Sequence, residues 1–415
     1  MKRNNPQITL SSLLSAVFIT ITSAATASDP TSIGGLPSRT LPIEAFVKLV
    51  QEKNTGVENQ RLAVDTAVAN KSPMSAPNLN PQFTYSRGSY YGQTPYTPYV
   101  SPSSNTYALQ ATLEGWGKRS ARSKVADSEI LRSQSELDSA TNNIELDASF
   151  AYLDALRPKL NIAAYQNSVS QLKRIGVPGA DSLMQDYVLK AQQEDRSYQY
   201  YVLGMLNLIP QSEGFVVQPT GRGECKVNNK TIDELLKNAL DGRADITSMN
   251  NSVKVAEGYV DLAKANRNID LTPSIWTSKT PSYTDAGYSY GATSAYGFSV
   301  QIPIPTSLIT DTSVQQAMNT KAQAENNREQ LKKQVQVELR QSAIQYETAL
   351  NAYRSALSNL QNAEKAYPPN SKRNIQTVTD YQLAIIDARI NHSKALVFLM
   401  NKSGHYGISA YCENQ

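Results

Sequence analysis

The stretch SAYGFSVQIPIP, Ser294 to Pro305, decides the fold. Tyr296, Phe298, Val300 and Ile302 alternate with Gly297, Ser299 and Gln301. Strict period-two alternation marks a strand with one apolar face and one polar face. Helical-looking sequence soon surrounds it on both sides. Such a strand needs hydrogen-bonded neighbours and somewhere to put its apolar face.

The neighbours come from an internal repeat. YGFSVQIPIPT at Tyr296 sits opposite YALQATLEGWG at Tyr107, and IDELLKNALDGR at Ile232 resembles IEAFVKLVQEKN at Ile43, both at an offset of 189 residues. FAYLDAL with Tyr152 matches IQYETAL with Tyr346, and LMQDYVLKAQ with Asp186 matches TVTDYQLAII with Asp380, both at an offset of 194. Four matches in one order at nearly constant offset predict two structural repeats, 28–215 and 216–415.

Each half has the same grammar. An Ala-rich helical stretch (41–71, then 231–267) precedes a short strand after a proline, PQFTYS or PSIWTS. A loop rich in Tyr, Gly and Pro leads to the second strand. The four strands are predicted at about 81–87, 105–114, 273–279 and 294–303. A very long helical run follows, 118–173 and 311–366, then a break (GVPGAD, PPNSKRN) and a final helix, 181–208 and 375–402. Pro and Gly in PIP and GWG suit the turn from strand into helix.

The second long run carries a heptad-like seam: Val335, Leu339, Ser342, Tyr346, Ala349, Tyr353, Ala356, Leu360, Ala363 and Tyr367. A helix of this length spans on the order of 85 Å. It needs partners along that length, in a coiled coil or in other chains. Pro158, after Arg157, is expected to interrupt or kink the first long helix.

A two-stranded hairpin is marginal in water. Tyr107, Leu109, Ala111 and Leu113 face away from Gln110, Thr112 and Glu114, and Phe83 and Tyr85 away from Gln82, Thr84 and Ser86. That pattern fits a barrel wall with lipid outside and water inside, and Gly297, Ser299 and Gln301 would then face the lumen. In lipid only full closure removes sheet edges. Four strands are too few to close a pore, so the barrel is shared between chains. A soluble helical protein with two small hairpins packed on its helices is the competing reading.

Composition narrows the function. Only 18% of the 415 residues are charged and the net charge is +4, without a basic block, which argues against nucleic acid. No run of about eighteen apolar residues follows the N-terminus, which argues against a helical span. Tyrosine dominates the aromatics, with 23 Tyr against 7 Phe and 2 Trp, and suits apolar–wet boundaries. Residues 1–27 read as a signal peptide: Lys2 and Arg3, a modest apolar centre, and the small-x-small ATA at Ala25–Ala27. Cys225 and Cys412 would meet an oxidising compartment, where they are bridged or remain unpaired. The two histidines, His392 and His405, are too far apart for ligand spacing. No zinc pattern, phosphate loop or nucleophile elbow appears. The sequence reads as a non-enzyme without cofactor or metal site.

The duplicated halves resemble the TolC-like outer-membrane efflux proteins. The matching stretches are NPQFTYS, TPSIWTS, YGFSVQIPIP, the helix AENNREQLKKQVQVELRQSAIQYETALNAY, and the returns DYVLKAQ and TDYQLAIIDAR. The resemblance covers nearly all of the chain after the signal. It implies a mainly α protein with a small β part: a duplicated long-helix coiled-coil tunnel, and four strands given to a trimeric twelve-stranded barrel. It implies a homotrimer in the outer membrane of a Gram-negative bacterium, in contact with lipid. A periplasmic extension would take cargo from an inner-membrane pump, of RND or ABC type, through a periplasmic adaptor protein. Small molecules such as drugs or metal ions, or polypeptides in type I secretion, would leave by this duct.

The resemblance places a gate near the start of the return helices, where Asp380 and its repeat partner Asp186 match acidic constriction residues. A second acidic position one turn later is Leu383, which removes or reduces a double ring. Both aspartates, and the weaker Asp181, could equally be helix-start acids favoured by the dipole. Lys173, Arg174, Lys372 and Arg373 would make basic tips that contact the adaptor, although Pro368-Pro369 replaces the family's tip glycine. Cys225 and Cys412 would both fall near the equator, where a disulfide would be structural. A periplasmic or surface coiled-coil protein without transport is the alternative function, and an exported enzyme a third.

Overall fold

The two halves fold to one order of elements. The computed structural model describes residues 38–89, 93–94, 97–98, 103–205, 216–219, 223, 225, 232–285, 288–303, 312–366 and 371–407. In the first half β1 (Ser38–Leu41) leads to α1 (Ile43–Lys53) and α2 (Thr55–Ser75). Next come β2 (Gln82–Ser89), a ribbon of β3 (Gln93–Thr94) and β4 (Thr97–Pro98), and β5 (Ser103–Gln110). The long helix α3 (Lys118–Arg174) and its return α4 (Ala180–Met205) complete it. The second half repeats this with β6 (Val216–Pro219), α5 (Ile232–Gly242), α6 (Ala244–Ala265) and β7 (Thr272–Thr280). The ribbon of β8 (Tyr283–Asp285) and β9 (Tyr288–Tyr290), then β10 (Thr293–Gln301), α7 (Ser313–Ala366) and α8 (Lys372–Lys402) follow. The expected signal peptide, 1–27, lies outside the described residues, as do Cys412 and the Pro368-Pro369 tip.

Each Ala-rich stretch, expected as one helix, is two. Asn54 stands in extended backbone between α1 and α2, and its side-chain oxygen accepts from the amides of Gly56 (2.8 Å) and Val57 (3.2 Å). This N-cap satisfies donors that a continuous helix would have used internally. In the second half Arg243 is extended and separates α5 from α6. The short helices lie flat on the core: Ile43, Phe46, Val47 and Val50 of α1, with Leu235 and Ala239 of α5, are buried.

Pro158 does not interrupt the first long helix: α3 runs unbroken for 57 residues with Pro158 buried inside it. A proline removes the bond to the carbonyl four residues back, that of Asp154. Ion pairs close around this turn. Lys394 reaches Asp154 at 2.8 Å, and Arg157 contacts Asp387 at 3.5 Å and donates to Asn391 at 2.9 Å. Packing on α8 holds the turn.

The helix α3 is the spine. Antiparallel partners line it along its length: α2 and α6 against its first part, α4 and α8 further along. Helix α7 packs on α6 and α8. Lys124–Asp261 (2.6 Å), Glu257–Lys321 (3.0 Å) and Asn401 to the Asn142 carbonyl (3.0 Å) fix the helices' registers. The seam of α7 is buried or half-buried at every described position from Val335 to Ala363. The main core sits at mid-height, where Leu153, Leu156, Leu339, Ile390 and Leu396 meet α1 and α5. The parallel pair β1–β6 and the buried Cys225 adjoin it. A smaller core of Leu172, Ala180, Met184 and Ile375 ties α8 to the α3–α4 hairpin at one end. The sheet stands at the other end.

Candidate functional site

The four predicted strands form one antiparallel sheet in the order β10-β7-β5-β2. Residues paired directly across strands share a face. One face carries Phe83, Leu109, Ile275 and Phe298 in one row and Tyr85, Tyr107, Thr277 and Tyr296 in the next. The apolar side chains of these rows are exposed: Phe83 at 68%, Ile275 at 56%, Phe298 at 67% and Tyr296 at 88%. Water leaves such a face uncovered only at a price in free energy, and a contiguous patch of this kind marks a contact with apolar surroundings.

The opposite face is polar and uncharged over the paired rows. It holds Gln82, Gln110, Ser274 and Ser299 in one row, and Ser86, Thr106, Ser278 and Ala295 in another. Gln110 donates to Gln82 at 2.7 Å and Thr106 to Ser278 at 3.1 Å. Gly297, Ser299 and Gln301 lie on this side, away from the exposed apolar rows. Trp276 lies there too, opposite Gly297 and Ala108. The indole covers Gly297: a Cβ at that position would stand 2.6 Å from its ring carbons. An aromatic laid over a strand glycine shields the bare backbone and pins the register.

Below the sheet the wall turns into helix. Leu113 and Leu271 bridge the strands one step further, and their amides and carbonyls exchange bonds of 2.6 and 3.0 Å. Gly115 passes so close to the Asn268 and Ile269 carbonyls that a Cβ would meet both at 2.8 Å. The Asp270 carboxylate accepts from the Gly115 amide and the Lys118 ammonium, each at 2.7 Å. Burial opposes its ionisation, but these donors outweigh it and hold the carboxyl below its ordinary value. Arg122 binds both oxygens of Glu114 and the Met74 and Ala76 carbonyls, which joins the start of α3 to the end of α2.

The edges coincide. Among the described residues, strand β2 has β5 as its one neighbour and β10 has β7, so each offers an unpaired side there. Beneath β2 lie α2 and α4, packed on α3; beneath β10 lies α7, packed on α6 and α8. These outermost helices carry exposed apolar side chains, Leu189 and Tyr201 on α4 and Val337 and Ile344 on α7. Sheet and helices thus end in open edges on the same two sides.

At the far end, Asp380 and Asp186 are exposed on α8 and α4. Neither lies in a first helical turn, whereas Asp181 does. The dipole effect fades beyond that turn, so it does not account for Asp186 or Asp380. Tyr165 of α3, stacked on Tyr187 at 5.6 Å, is half-buried nearby. Its phenol is pushed up first by burial, then by the charges of Asp380, Tyr187, Glu194 and Asp387. Three carboxylates therefore gather around one tyrosine. Asp387 was not singled out from the sequence; it lies one heptad beyond Asp380, and Asp380, Ala384, Asp387 and Asn391 form the exposed stripe of α8. Leu383 is off that stripe and half-buried.

Lys173, Arg174, Lys372 and Arg373 are exposed. Lys173 pairs with Asp181 at 2.7 Å across a turn whose glycines, Gly176 and Gly179, take φ of 77° and 70°. Lys372 and Arg373 open α8, where the positive end of the dipole disfavours cations. Cys225 is disulfide-bonded, and its amide donates to Ser393 at 3.1 Å. His392 stacks between Tyr346 and Tyr353, and His405 meets Ser403 at 3.1 Å. Among the described residues no cluster of His, Cys, Asp or Glu is placed to hold a metal, and no helix is long and apolar enough to cross a membrane.

No family profile matches the sequence, and no curated protein is similar to it. Solved structures are similar. The outer membrane protein VceC of Vibrio cholerae shares 15% identity over 87% of this chain and 96% of its own, with a TM-score of 0.59. The Campylobacter jejuni CmeC outer membrane channel shares 16% over 88% and 85%, at 0.59. The fold is that of the TolC-like outer-membrane channels. The open state of the Neisseria gonorrhoeae MtrE channel shares 14% over 90% and 93%, at 0.55. The TolC-like fold thus takes in both halves, from the mid-height core to the sheet, at identities where little beyond the packing pattern persists.

Proposed function

We propose that three copies of this chain join head to tail, β2 of one beside β10 of the next, into a twelve-stranded barrel in the outer membrane of a Gram-negative bacterium. The observation that carries this is the coincidence of open edges under an exposed apolar sheet face. A heterologous contact that closes makes a ring, and closure is the way a sheet survives in lipid. The same contact packs α7 on α2 and α4 of the neighbour, which extends the ring into a periplasmic helical tunnel.

The assembly is an exit duct for an efflux or type I secretion system and performs no catalysis. An inner-membrane pump of RND or ABC type and a periplasmic adaptor load it with drugs, metal ions or polypeptides. On the lumen side Ser299 and Gln301 offer passing solutes hydrogen bonds without strong binding, and Gly297 lies there beneath the Trp276 indole. Asp380, with Asp186, forms the periplasmic gate: symmetry-related carboxylates in a narrow passage attract cations and repel anions. Asp387 adds a second ring about 10 Å away, seven residues along α8. Lys173, Arg174, Lys372 and Arg373 meet the adaptor. Cys225 pairs with Cys412, which anchors the end of the second repeat at mid-height.

A coiled-coil structural protein would use the same helices but leaves the apolar sheet face without a purpose. Extraction from membranes and recording in planar bilayers separates the two. The duct requires detergent and yields discrete ion-conducting steps; a water-soluble monomer without conductance overturns it.

A further inference from the structure

The apolar face of the sheet is graded along the strands. After the Phe83, Leu109, Ile275 and Phe298 row comes the Tyr85, Tyr107 and Tyr296 row, and after that Arg87, Asn105, Lys279 and Ser294. Successive same-face rows are about 7 Å apart. Apolar, then tyrosine, then basic is the order of hydrocarbon, interface and headgroup in a bilayer. Arg87 and Lys279 are exposed and flank Asn105, on strands about 10 Å apart. Arg87 donates to the Ser103 hydroxyl at 3.3 Å, a contact that leaves its charge in place, and Tyr85 donates to Asn105 at 3.1 Å.

The two ends of the sheet differ in charge balance. At the helix end four cations have carboxylates, Lys118 with Asp270, Arg122 with Glu114, Lys124 with Asp261 and Lys71 with Asp127, while Arg119 donates to the Ser75 carbonyl. Between Ser86 and Ser104, and between Ser278 and Tyr296, the sequence holds one carboxylate, Asp285, against Arg87 and Lys279. Even paired to one of them, Asp285 leaves the other unneutralised.

We infer that this row binds the phosphates of an anionic lipid headgroup in the outer leaflet, as a basic ring above the tyrosines. The inference rests on the barrel reading, because that reading turns the apolar face to lipid. Charge complementarity selects the occupant: each Lys or Arg near an anionic membrane surface contributes on the order of 1 kcal/mol.

The test uses the full-length protein extracted in detergent and titrated with bisphosphorylated lipid A, dephosphorylated lipid A or inorganic phosphate, with binding read by native mass spectrometry. The wild type is expected to prefer the bisphosphorylated lipid by about tenfold or more. The double variant Arg87→Gln/Lys279→Gln loses that preference, and the swap Arg87→Lys/Lys279→Arg keeps it. Conductance in neutral bilayers, unchanged across the variants, shows that they are assembled. A wild type without the preference, a double variant that retains it, or inorganic phosphate bound as tightly as the lipid overturns the inference. A chain that forms channels without the preference keeps the duct and loses the lipid site; a chain with the preference that forms no channels loses the duct and keeps the site.

Discussion

Trp276 stands directly across from Gly297, and its indole fills the space a side chain at 297 would need, 2.6 Å from the site of the missing Cβ. The pair sits on the polar face of the sheet, beside the unpaired edge of β10. Gly297→Val forces the indole off the wall, and overpacking of this kind costs about 1–3 kcal/mol. The variant is expected to dissociate at lower temperature on unheated gels. Trp276→Ala combined with Gly297→Val is expected to recover part of the loss. Equal stability of wild type and Gly297→Val contradicts the pairing.

Arg243 is the break between α5 and α6 and a charged knot in the core. Its side chain is 8% exposed and contacts Asp245 at 2.6 Å, Glu338 at 3.4 Å and the Lys402 carbonyl at 3.2 Å. Burial works against its charge, but the two carboxylates raise its pKa further above the ordinary range. Arg243→Ala takes the cation from Asp245 while Glu338 keeps Lys402 at 3.7 Å, and it is expected to cost about 1–3 kcal/mol, read as a lower denaturant midpoint.

The junction under the sheet is expected to be acid-labile. Asp270 is held below its ordinary carboxylate value by the Lys118 and Gly115 donors, against burial. A depressed folded-state value contributes stability above the unfolded value, near 3.9, and that contribution is lost as pH falls through the folded one. Thermal melts from neutral to strongly acidic pH are expected to show a loss that is smaller in Asp270→Asn.

At the end that holds the α3–α4 hairpin, the proposed gate predicts that Asp380→Ala lowers cation selectivity and raises the conductance of the closed state, with a further change when Asp387→Ala is added. Reversal potentials across a salt gradient measure the first. If both quantities stay unchanged, Asp380 is not the gate.

The strands and long helices were legible because their signals are local and repeated. Alternation placed three of the strands and the repeat the fourth, after Pro273, and the start of α3 at Lys118 and the end of α7 at Ala366 fall where the sequence reading set them. What was hidden depends on distant partners. Asn54, an N-cap type two residues before Gly56, and Gly242 before Arg243 were local signals of the breaks; the contacts of Arg243 with Glu338 and Lys402 are remote in sequence. Pro158 reads as a breaker until Asp154, Arg157, Lys394 and Asp387 are seen around it. Asp387 carried a usable signal, its heptad spacing from Asp380. The faces of Ile275 and Trp276 became plain only with the strand pairing, which sets Ile275 beside Leu109 and Trp276 beside Ala108.

The head-to-tail ring is most directly tested by oxidative crosslinking in membranes. A chain carrying Phe83→Cys on β2 is combined with Tyr296→Cys, Phe298→Cys or Val300→Cys on β10, one at a time. At least one pair is expected to give covalent dimers and trimers and nothing larger, because three copies close the ring. Absence of product from every pair, or a ladder that runs past three chains, contradicts it.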